Sequence, residues 1–543
     1  MRLSRILLTI ATALLPFAVL ATTWLYLYPI FHGCGFPAAL YEDGGHGMNA
    51  AVAPFRLLAL GDPQLEGDSS LPKEGEAAFP SLQRLWALSI SNPSTYRFLL
   101  THPRTLHHTL RTLYSALLEL TTQDLPRFIQ TQRKKLDLLG NDYYLAHIVR
   151  STRWWTRPSH IVVLGDLLGS QWISDEEFGM RAGRYWGRVF EGLEKVPESI
   201  MDQGMGRDIG HENDVHEVLG ADKSWEKRVI NIAGNHDIGY AGDLDEKRIE
   251  RFERAFGRAN WEIIFTLPPC NYTPSSDALE TNGQQPTPES PEIPSLRLII
   301  LNSMNLDTPA LSSPLQTQTY AFLNHIISTS HPISFPVTSS LQFNLLLTHI
   351  PLHKESGICY DDPFFDFFKE EEGGGVKEQN MLSEHASKGV LEGVFGLSGN
   401  GEHEMGRAGV VINGHDHEGC DVIHYVERTS AAKTDNKEDR GDTGGASAGN
   451  GGEDTPRLKE ITLRSMMGDY SGAAYFLSAW WDPNAGGEGN GEWRMEVGMC
   501  KIGVAAWWWG VHVLDLLVIV LDGQYGTIKW HFLIFFDGME RGG

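Results

Sequence analysis

The stretch Arg228-Val-Ile-Asn-Ile-Ala-Gly-Asn-His-Asp237 runs from an apolar segment directly into a turn of glycine and polar residues. Its apolar part is short and continuous, a pattern that predicts a strand buried on both faces. Runs of the same character occur at residues 55–60, 160–164, 296–301, 343–347 and 409–412. Between the first two runs, residues 96–153 instead carry apolar side chains at helical spacing. Strands that alternate with helices predict an α/β fold built in layers.

Polar residues follow five of the predicted strands, mostly with a glycine that lets the chain turn tightly. These turns read Gly61-Asp62-Pro63-Gln64, Gly165-Asp166, Gly234-Asn235-His236-Asp237, His349 and Asn413-Gly414-His415-Asp416-His417. In open α/β sheets, ligands bind beyond the carboxyl ends of the strands. Carboxylate, amide and imidazole ligands together suit Mn, Fe or Zn. One such turn alone would be ordinary turn chemistry, but five in one chain indicate a shared metal site.

The chain is acidic, because 45 Lys and Arg residues face 69 Asp and Glu residues and leave a net charge of −24. We therefore expect no nucleic-acid partner, since such proteins carry a basic surface for the phosphate backbone. With 543 residues, of which 41% are hydrophobic, the chain can bury a large core. Five scattered cysteines without a C-x-x-C pair exclude a zinc ribbon and a disulfide-dense small scaffold.

In order and content, the five turns resemble the motifs of the calcineurin-like metallophosphoesterases, which read D-x-H, G-D, G-N-H-[DE], H and G-H-x-H. The resemblance spans residues 55–426, interrupted by inserts. It implies a β-sandwich flanked by helices, with a dinuclear metal centre at one edge. It also implies that the chain hydrolyses phosphate esters.

The resemblance assigns two divalent metal ions to these residues, Mn²⁺ in the first place, with Zn²⁺ or Fe²⁺ as alternatives. One ion would be held by Asp62, Gln64, Asp166 and His417, and the other by Asp166, Asn235, His349 and His415. Asp166 would bridge the two ions, as a carboxylate with two oxygens can. Gln64 departs from the family, which has histidine there. An amide oxygen binds transition metals less well than imidazole does, so we expect that ion to be held loosely.

Two residues of the third turn are predicted to act in the reaction. By the resemblance, His236 donates a proton to the leaving oxygen, a role for which histidine is suited. Asp237 is expected to orient the His236 ring, with a simple turn carboxylate as the alternative. Asp416 is interpreted as structural, and His353 as a surface residue. His160 and His424 are given no role in the site.

The N-terminus predicts a membrane anchor within residues 1–32. Residues 6–31 are uncharged and mostly apolar, which is enough for a helix that spans a bilayer. Arg2 and Arg5 favour a cytosolic N-terminus and place the rest of the chain outside the cytosol. A cleaved signal peptide and a buried core helix are the alternatives. The glycosylation sequon at Asn271 agrees with a non-cytosolic location.

Residues 502–521 are apolar enough to be a second transmembrane segment, but they contain His512 and Asp515. Ionisable groups at mid-membrane are costly, so buried strands or a membrane-surface patch are alternatives. Three other stretches, at residues 273–295, 369–405 and 427–457, are rich in Pro, Gly, Ser or acidic residues. We expect mobile loops there, and a return of the chain to the catalytic domain over residues 458–482.

A narrower resemblance rests on Asp62-Pro63-Gln64, on Gly140-Asn-Asp-Tyr-Tyr-Leu-Ala-His147 and on the N-terminal anchor. These features are similar to the fungal phosphodiesterases that remove ethanolamine phosphate from the mannoses of GPI anchors. The resemblance implies residence in the endoplasmic reticulum membrane, or alternatively the Golgi, with a lumenal catalytic domain. It also implies a GPI-anchored glycolipid or protein as substrate, and a link to ER export machinery. For residues 140–147, the alternative is an ordinary helix with aromatic core contacts.

Two other functions stay open from the sequence. One is a phosphoesterase that acts on another lipid or on a protein phosphate ester, with the same metal centre. The other is a non-catalytic ER cargo adaptor with a degenerate metal site, for which Gln64 is the sequence support.

Overall fold

The computed structural model describes residues 2–42, 48–67, 71, 75–90, 111, 113–203, 216–268, 293–333, 340–397, 406–425, 457–486, 491–503 and 505–523. The chain divides into two compact units. The larger unit consists of Met1–Leu65 and Tyr144–Gly543, and the smaller one of Glu66–Tyr143.

Seventeen strands lie in the described residues. They are β1 (Ala39–Glu42), β2 (Met48–Ala51), β3 (Phe55–Leu60), β4 (His160–Val163), β5 (Glu194–Lys195), β6 (His216–Val218), β7 (Arg228–Asn231), β8 (Trp261–Thr266), β9 (Ser295–Ile300), β10 (Gln342–Leu347), β11 (Phe365–Phe367), β12 (Val376–Gln379), β13 (Gly409–Asn413), β14 (Cys420–Tyr425), β15 (Arg457–Thr462), β16 (Ala473–Asp482) and β17 (Glu492–Lys501). The six strands predicted from apolar runs are present as β3, β4, β7, β9, β10 and β13.

These strands form two large sheets and two short ribbons. The six-stranded sheet has the order β17-β16-β3-β4-β7-β5, and its last four strands run parallel. The seven-stranded sheet has the order β14-β15-β13-β10-β9-β8-β6, with β15, β13, β10 and β9 parallel. The ribbons are β1-β2 and β11-β12. The carboxyl ends of the parallel strands therefore gather at one end of each sheet.

The two large sheets share one hydrophobic core. Alternate residues of β3, such as Leu57, belong to the same cluster as Leu298 of β9 and Leu345 of β10. The intervening residues, such as Leu58 and Leu346, pack instead among helical side chains on the other faces. Both faces of the central strands are thus covered, which explains their unbroken apolar sequence. The fold is a mixed α/β arrangement of parallel and antiparallel strands flanked by helices.

The helices of the described residues range in length from one turn to more than eight turns. They are α1 (Arg2–Tyr26), α2 (Tyr28–Phe31), α3 (Pro80–Ile90), α4 (Leu125–Thr156), α5 (Asp175–Arg184), α6 (Glu198–Met201), α7 (Asn235–Ile238), α8 (Glu246–Phe256), α9 (Ser313–Thr329), α10 (Glu384–Phe395) and α11 (Ala505–Gly523). In the smaller unit, α3 is held to the π turn at Leu120–Asp124 by the Ser81 N–H, which donates to Asp124 at 2.9 Å. An Arg84–Glu119 ion pair lies beside this contact.

Two helices, Ser4–Tyr26 and Ala505–Asp522, are long and apolar enough to cross a membrane by length and composition. They pack against each other, and the Thr22 hydroxyl donates to the Asp515 carboxylate at 2.8 and 2.9 Å. Because residues 505–523 form a helix, the alternative of buried strands for that segment is wrong. A disulfide between Cys34 and Cys500 joins the segment after α2 to the segment before α11. A second disulfide joins Cys359 to Cys420.

The prediction of a mobile loop over residues 369–405 is wrong for most of that stretch. It contains a 3₁₀ turn at Glu370–Glu372, strand β12 and helix α10. The composition is acidic and rich in glycine, but the stretch also contains apolar side chains that the fold buries, among them Val376, Val390 and Phe395. The other two predicted loops lie outside the described residues, apart from Ile293 to Ser295 and Arg457 at their ends, and so does Asn271.

Candidate metal centre

The polar turns after β3, β4, β7, β10 and β13 meet at one place. Asp166, His349 and His415 offer ligand atoms that all lie within 4.8 Å of one another, and so do Asp62, Asp166 and His417. We call Asp166, Asn235, His349 and His415 the His349 group, because Asn235 contacts both of its histidines. Asp62, Asp166 and His417 are the His417 group. Asp166 belongs to both groups.

At this place, four non-glycine residues have positive backbone φ angles, a conformation that residues with a side chain rarely adopt. Asp62, Gln64, Asp166 and His415 have φ angles of 46°, 40°, 48° and 73°. Elsewhere in the described residues, positive φ in a non-glycine residue occurs only at Arg157 and Ser471. Each such residue costs on the order of 1–3 kcal/mol and persists only where its surroundings enforce it. The fold thus holds these side chains in place against a local cost.

Glycines let the turns approach one another closely. A Cβ atom on Gly165, whose φ is 87°, would collide with the imidazole of His349. A Cβ atom on Gly234 would collide with the backbone nitrogen of Asp166. The glycines of the second and third turns are therefore needed because two other ligand-bearing segments lie directly against them.

In the His349 group, each ring has one nitrogen fixed by a backbone carbonyl. His349 Nδ1 lies 2.7 Å from the Leu164 oxygen, and His415 Nε2 lies 2.8 Å from the Gln379 oxygen. A carbonyl oxygen only accepts, so these nitrogens carry hydrogen. The remaining nitrogens, His349 Nε2 and His415 Nδ1, each lie 3.0 Å from Asn235 Oδ1.

His349 Nε2 also lies 3.3 Å from Asp166 Oδ1. With neutral rings, the two free imidazole nitrogens and the Asn235 oxygen are three acceptors that converge with no hydrogen donor among the described contacts, beside the Asp166 carboxylate, whose Oδ1 accepts from the His236 backbone N–H. Such a set is satisfied by a cation, and histidine ligands of metals commonly donate their second nitrogen to a carbonyl in this way. The residues of the His349 group therefore fit a metal ion.

The His417 group contains a buried oxygen with no hydrogen-bond partner. Asp62 is fully buried, and its Oδ1 accepts from the His415 backbone N–H at 3.1 Å. Its Oδ2 has no partner among the described residues. Buried carboxylate oxygens are rarely left unpaired, so Asp62 Oδ2 fits a position facing a cation.

Gln64 lies beside this group in an arrangement that differs from the ligand role predicted for it. Its amide nitrogen donates to Asp166 Oδ2 at 3.1 Å and lies 3.1 Å from His417 Nε2. The amide nitrogen, and not the oxygen, thus faces the ligand atoms. In this arrangement Gln64 is a hydrogen-bond donor that links the two side chains.

The electrostatics of the centre favour positive charge. Burial raises the pKa of Asp62 to about 8, and the carboxylate of Asp166 adds to the rise. Burial disfavours the charged form of Asp166, but the His349 and His236 imidazoles outweigh it and hold its pKa below the usual range. Burial would lower the pKa of His349, yet the Asp166 and Asp62 carboxylates raise it to about 9. Burial and the neighbouring His349 lower the pKa of His415 to about 3.

Asp237 has a different role from the one predicted for it. Its carboxylate accepts from the backbone N–H groups of Leu167, Leu168 and Gly234 at 3.1, 2.9 and 3.0 Å. No hydrogen bond joins it to the His236 ring in the part of the chain that the structure describes. Asp237 therefore ties the turn after β4 to the turn after β7, and does not orient the imidazole.

His236 instead faces Asp166. Its backbone N–H donates to Asp166 Oδ1 at 2.9 Å, and its ring Nε2 lies 3.8 Å from Asp166 Oδ2. The His236 side chain is 37% exposed and lines a cavity of about 690 Å³ above the ligand groups. A substrate in the cavity can therefore reach the His236 ring.

Several cavity residues carry no sequence signal that would have found them. Trp172, Tyr360 and Tyr470 line the cavity, as do Lys377 and Glu378 from the insert taken for a loop. They are separated in sequence from the five turns and belong to no motif. Asp416, interpreted as structural, accepts from the Glu418 N–H at 3.1 Å and also lines the cavity.

The histidines given no role lie away from the ligand atoms. His160 is buried among aromatic rings, including Phe55 and Phe265, and burial lowers its pKa to about 3. His424 lies 2.6 Å from the buried carboxylate of Glu460. His353 is half-buried, and its backbone N–H donates to the Ser387 hydroxyl.

The end of the stretch at residues 140–147 packs in the core of the larger unit and does not line the cavity. The Tyr144 hydroxyl donates to the Gly503 carbonyl at 2.6 Å. The ring of His147 is buried and stands edge-on to Tyr26, with 4.9 Å between the ring centroids. These contacts fit the alternative of an ordinary helix with aromatic core contacts.

Comparisons with known proteins find relatives of this chain. No protein-family model matches the chain. The chain is 28% identical over 433 residues to Protein TED1 of Saccharomyces cerevisiae, covering 71% of this chain and 77% of that protein. It is 25% identical over 294 residues to Metallophosphoesterase 1 of Rattus norvegicus, covering 53% of this chain and 57% of that protein. Metallophosphoesterase 1 of Mus musculus is also 25% identical, over 303 residues. The chain is similar in sequence to metallophosphoesterases and spans a little over half the length of these mammalian relatives.

Proposed function

We propose that this chain is a metal-dependent phosphodiesterase with a calcineurin-like fold. The observation that carries the proposal is the pair of ligand groups that share Asp166. Two adjacent cation sites joined by one carboxylate are typical of enzymes that hydrolyse phosphate esters.

The His349 group and the His417 group would each hold one divalent ion, Mn²⁺ in this proposal, with Zn²⁺ or Fe²⁺ as alternatives. When bound, such ions offset the charge of a phosphate ester and lower the pKa of water for an in-line displacement. Asp166 supplies one oxygen to each group, and Asp62 adds a further negative charge that a cation would neutralise.

Residues of the cavity and its surroundings supply the proton and position its donor. His236 lies over Asp166 with an exposed ring, and we assign it the transfer of a proton to the leaving oxygen. Asp166 positions it, since one oxygen accepts the His236 backbone N–H and the other faces the ring. Asp237 contributes indirectly, because its hydrogen bonds fix the two turns that carry Asp166 and His236.

We further propose that the enzyme acts at a membrane from the lumenal side. The helices Ser4–Tyr26 and Ala505–Asp522 would cross the bilayer together. Two disulfides in the described residues suit an oxidising compartment, of which the endoplasmic reticulum is our first choice and the Golgi the second. The cavity wall is close to the start of α11, because Ser471, next to the cavity residue Tyr470, accepts from the Gly503 N–H at 3.2 Å.

The proposed substrate is ethanolamine phosphate on a mannose of a GPI-anchored glycolipid or protein, with a link to ER export machinery. Four acidic residues of the cavity wall outside the two ligand groups suit a substrate that carries an ammonium group, namely Asp361, Glu378, Asp416 and Glu418. A cavity close to the membrane suits a phosphate ester on a membrane-tethered glycan.

The test uses the detergent-solubilised full chain and a synthetic GPI glycan that carries ethanolamine phosphate. We expect release of ethanolamine phosphate, measured by mass spectrometry, to stop with a chelator and to return with Mn²⁺. A lipid phosphodiester and a phosphopeptide serve as controls for the alternative phosphoesterase functions. Hydrolysis of a control but not of the glycan would refute the substrate, and release that persists in chelator would refute the mechanism.

One observation favours a second candidate, a non-catalytic ER cargo adaptor with a degenerate metal site. Gln64 turns its amide nitrogen toward Asp166 and His417, where a ligand would present an oxygen. The variant His236→Ala separates the two functions in cells. An enzyme should lose GPI trimming with this variant, whereas an adaptor should keep cargo export at the wild-type rate.

A further inference from the structure

The three histidines of the metal centre are held in two different ways. The second nitrogens of His349 and His415 meet backbone carbonyls. The third histidine, His417, has no such carbonyl among the described contacts. Its Nδ1 lies 3.3 Å from the hydroxyl of Tyr470, and the two rings stand edge to face with centroids 5.0 Å apart.

The opposite nitrogen of His417 faces the ligand atoms. His417 Nε2 and Asp166 Oδ2 both lie 3.1 Å from the amide nitrogen of Gln64, so they border the same space. If Nε2 is the metal-binding atom, Nδ1 carries hydrogen and donates to the phenol oxygen. Histidine ligands generally have such a partner, which fixes both the ring orientation and the position of the hydrogen.

The segment that carries Tyr470 is anchored on both sides. The Arg464 side chain donates from Nε to the Tyr470 carbonyl at 2.8 Å. The next residue, Ser471, has a φ of 71°, one of the six positive values in non-glycine residues of the described chain. The carbonyls of Ser471 and Gly472 accept from Gly503 and Ile502 at 3.2 and 3.0 Å. A strained residue held by this many contacts indicates that the position of Tyr470 is maintained for a reason.

We propose that Tyr470 is a positioning residue for the metal ligand His417. Its hydroxyl holds the imidazole so that Nε2 faces Asp62 and Asp166, and Tyr470 itself binds no metal. This role rests on the metal centre of the proposed function, but not on its substrate. Because His417 belongs only to the His417 group, loss of the hydroxyl weakens one of the two ions and leaves the other unchanged.

The test is Mn²⁺ binding to the detergent-solubilised full chain, followed by electron paramagnetic resonance of the free ion. For Tyr470→Phe, we expect one of two dissociation constants to rise roughly 10–100-fold, the usual effect of losing such a partner. The melting temperature of the metal-free protein should stay at the wild-type value. The matched control is Tyr475→Phe, which removes a hydroxyl that accepts from the Arg464 N–H at 3.0 Å and has no contact with a metal ligand. Both dissociation constants should stay unchanged in the control.

Two results for Tyr470→Phe would overturn the proposal, and so would one result for the wild type. One is a pair of dissociation constants in Tyr470→Phe equal to those of the wild type. The other is a parallel rise in both constants with a lower melting temperature, which would indicate a merely structural role. Wild-type protein that binds no Mn²⁺ would overturn the metal centre and this role together. Normal Mn²⁺ binding without hydrolysis of any phosphate ester would overturn only the proposed function.

Discussion

The two ligand groups of the metal centre differ in what holds them. In the His349 group, both rings are fixed by backbone carbonyls, and His349 and Asn235 are buried. In the His417 group, the histidine is half-buried and meets two side chains, Tyr470 and Gln64. Backbone atoms are positioned by the sheets themselves, whereas side-chain partners can be changed by a single substitution. The His349 group should therefore bind its ion more firmly, and the His417 group should be the part of the centre that variation can tune.

The largest effect is expected at Asp166, the residue that the two ligand groups share. Asp166→Asn removes a charge that both groups use, so both ions should be lost. We expect phosphodiester hydrolysis to fall by more than a hundredfold, on the order of the loss of one electrostatic stabiliser. The measurement is initial rate against Mn²⁺ concentration, with the exposed Asp421→Asn as control. A rate within tenfold of wild type would show that Asp166 does not bridge.

A pair of alanine variants contrasts the two groups directly. His349→Ala should lose one ion and also destabilise the protein by about 2–3 kcal/mol, because the Leu164 carbonyl is left buried without its partner. His417→Ala should lose the other ion with a smaller change in stability, about 1 kcal/mol, because its half-buried ring contacts only side chains. The measurements are bound Mn²⁺ per chain and denaturant unfolding of the metal-free protein. Equal destabilisation by the two variants would remove the distinction between the groups.

Asp237→Asn tests the support of the His349 group without touching a ligand. Asparagine has one acceptor oxygen, so at least one of the three backbone N–H groups that Asp237 accepts should lose its partner. We expect a loss of about 2 kcal/mol in unfolding free energy, with both ions still bound. The measurement is urea unfolding combined with Mn²⁺ titration. Unchanged stability with lost hydrolysis would instead favour the predicted role of Asp237 toward His236.

The smallest effect is expected from Gln64→His, which would strengthen the His417 group. An imidazole nitrogen can bind a metal ion where the Gln64 amide nitrogen only donates hydrogen bonds, so the weaker Mn²⁺ dissociation constant should fall by roughly tenfold. The tighter constant should not move, and Gln171→His at the cavity wall serves as the control for an added imidazole. A shift in the tighter constant alone would contradict the placement of residue 64 beside the His417 group.

Much of the framework could be predicted from the sequence. The unbroken apolar runs identified six strands, since strands covered on both faces cannot alternate polar and apolar residues. The five turns named every residue of the two ligand groups, because parallel strands bring their carboxyl ends together. The contacts of Asp237 could not be predicted in this way, since a carboxylate next to histidine gives no sign that three backbone N–H groups surround it.

Other parts of the site depend on tertiary packing that leaves no local pattern. Tyr470 lies far from His417 in sequence and reaches it because β15 and β16 return to the two sheets. The Gln379 carbonyl, which fixes His415, comes from an insert whose acidic composition predicted a loop. Because a backbone carbonyl leaves no pattern of residue types, the orientation of the His415 ring could not be predicted from the sequence.

The central claim is that Asp166 joins two divalent ions in one centre. The most direct test is electron paramagnetic resonance of the full chain loaded with two equivalents of Mn²⁺. We expect the spectrum of a spin-coupled Mn²⁺ pair in the wild type, and the loss of that spectrum in Asp166→Asn. A wild-type spectrum of isolated Mn²⁺, with one ion bound per chain, would contradict the shared centre.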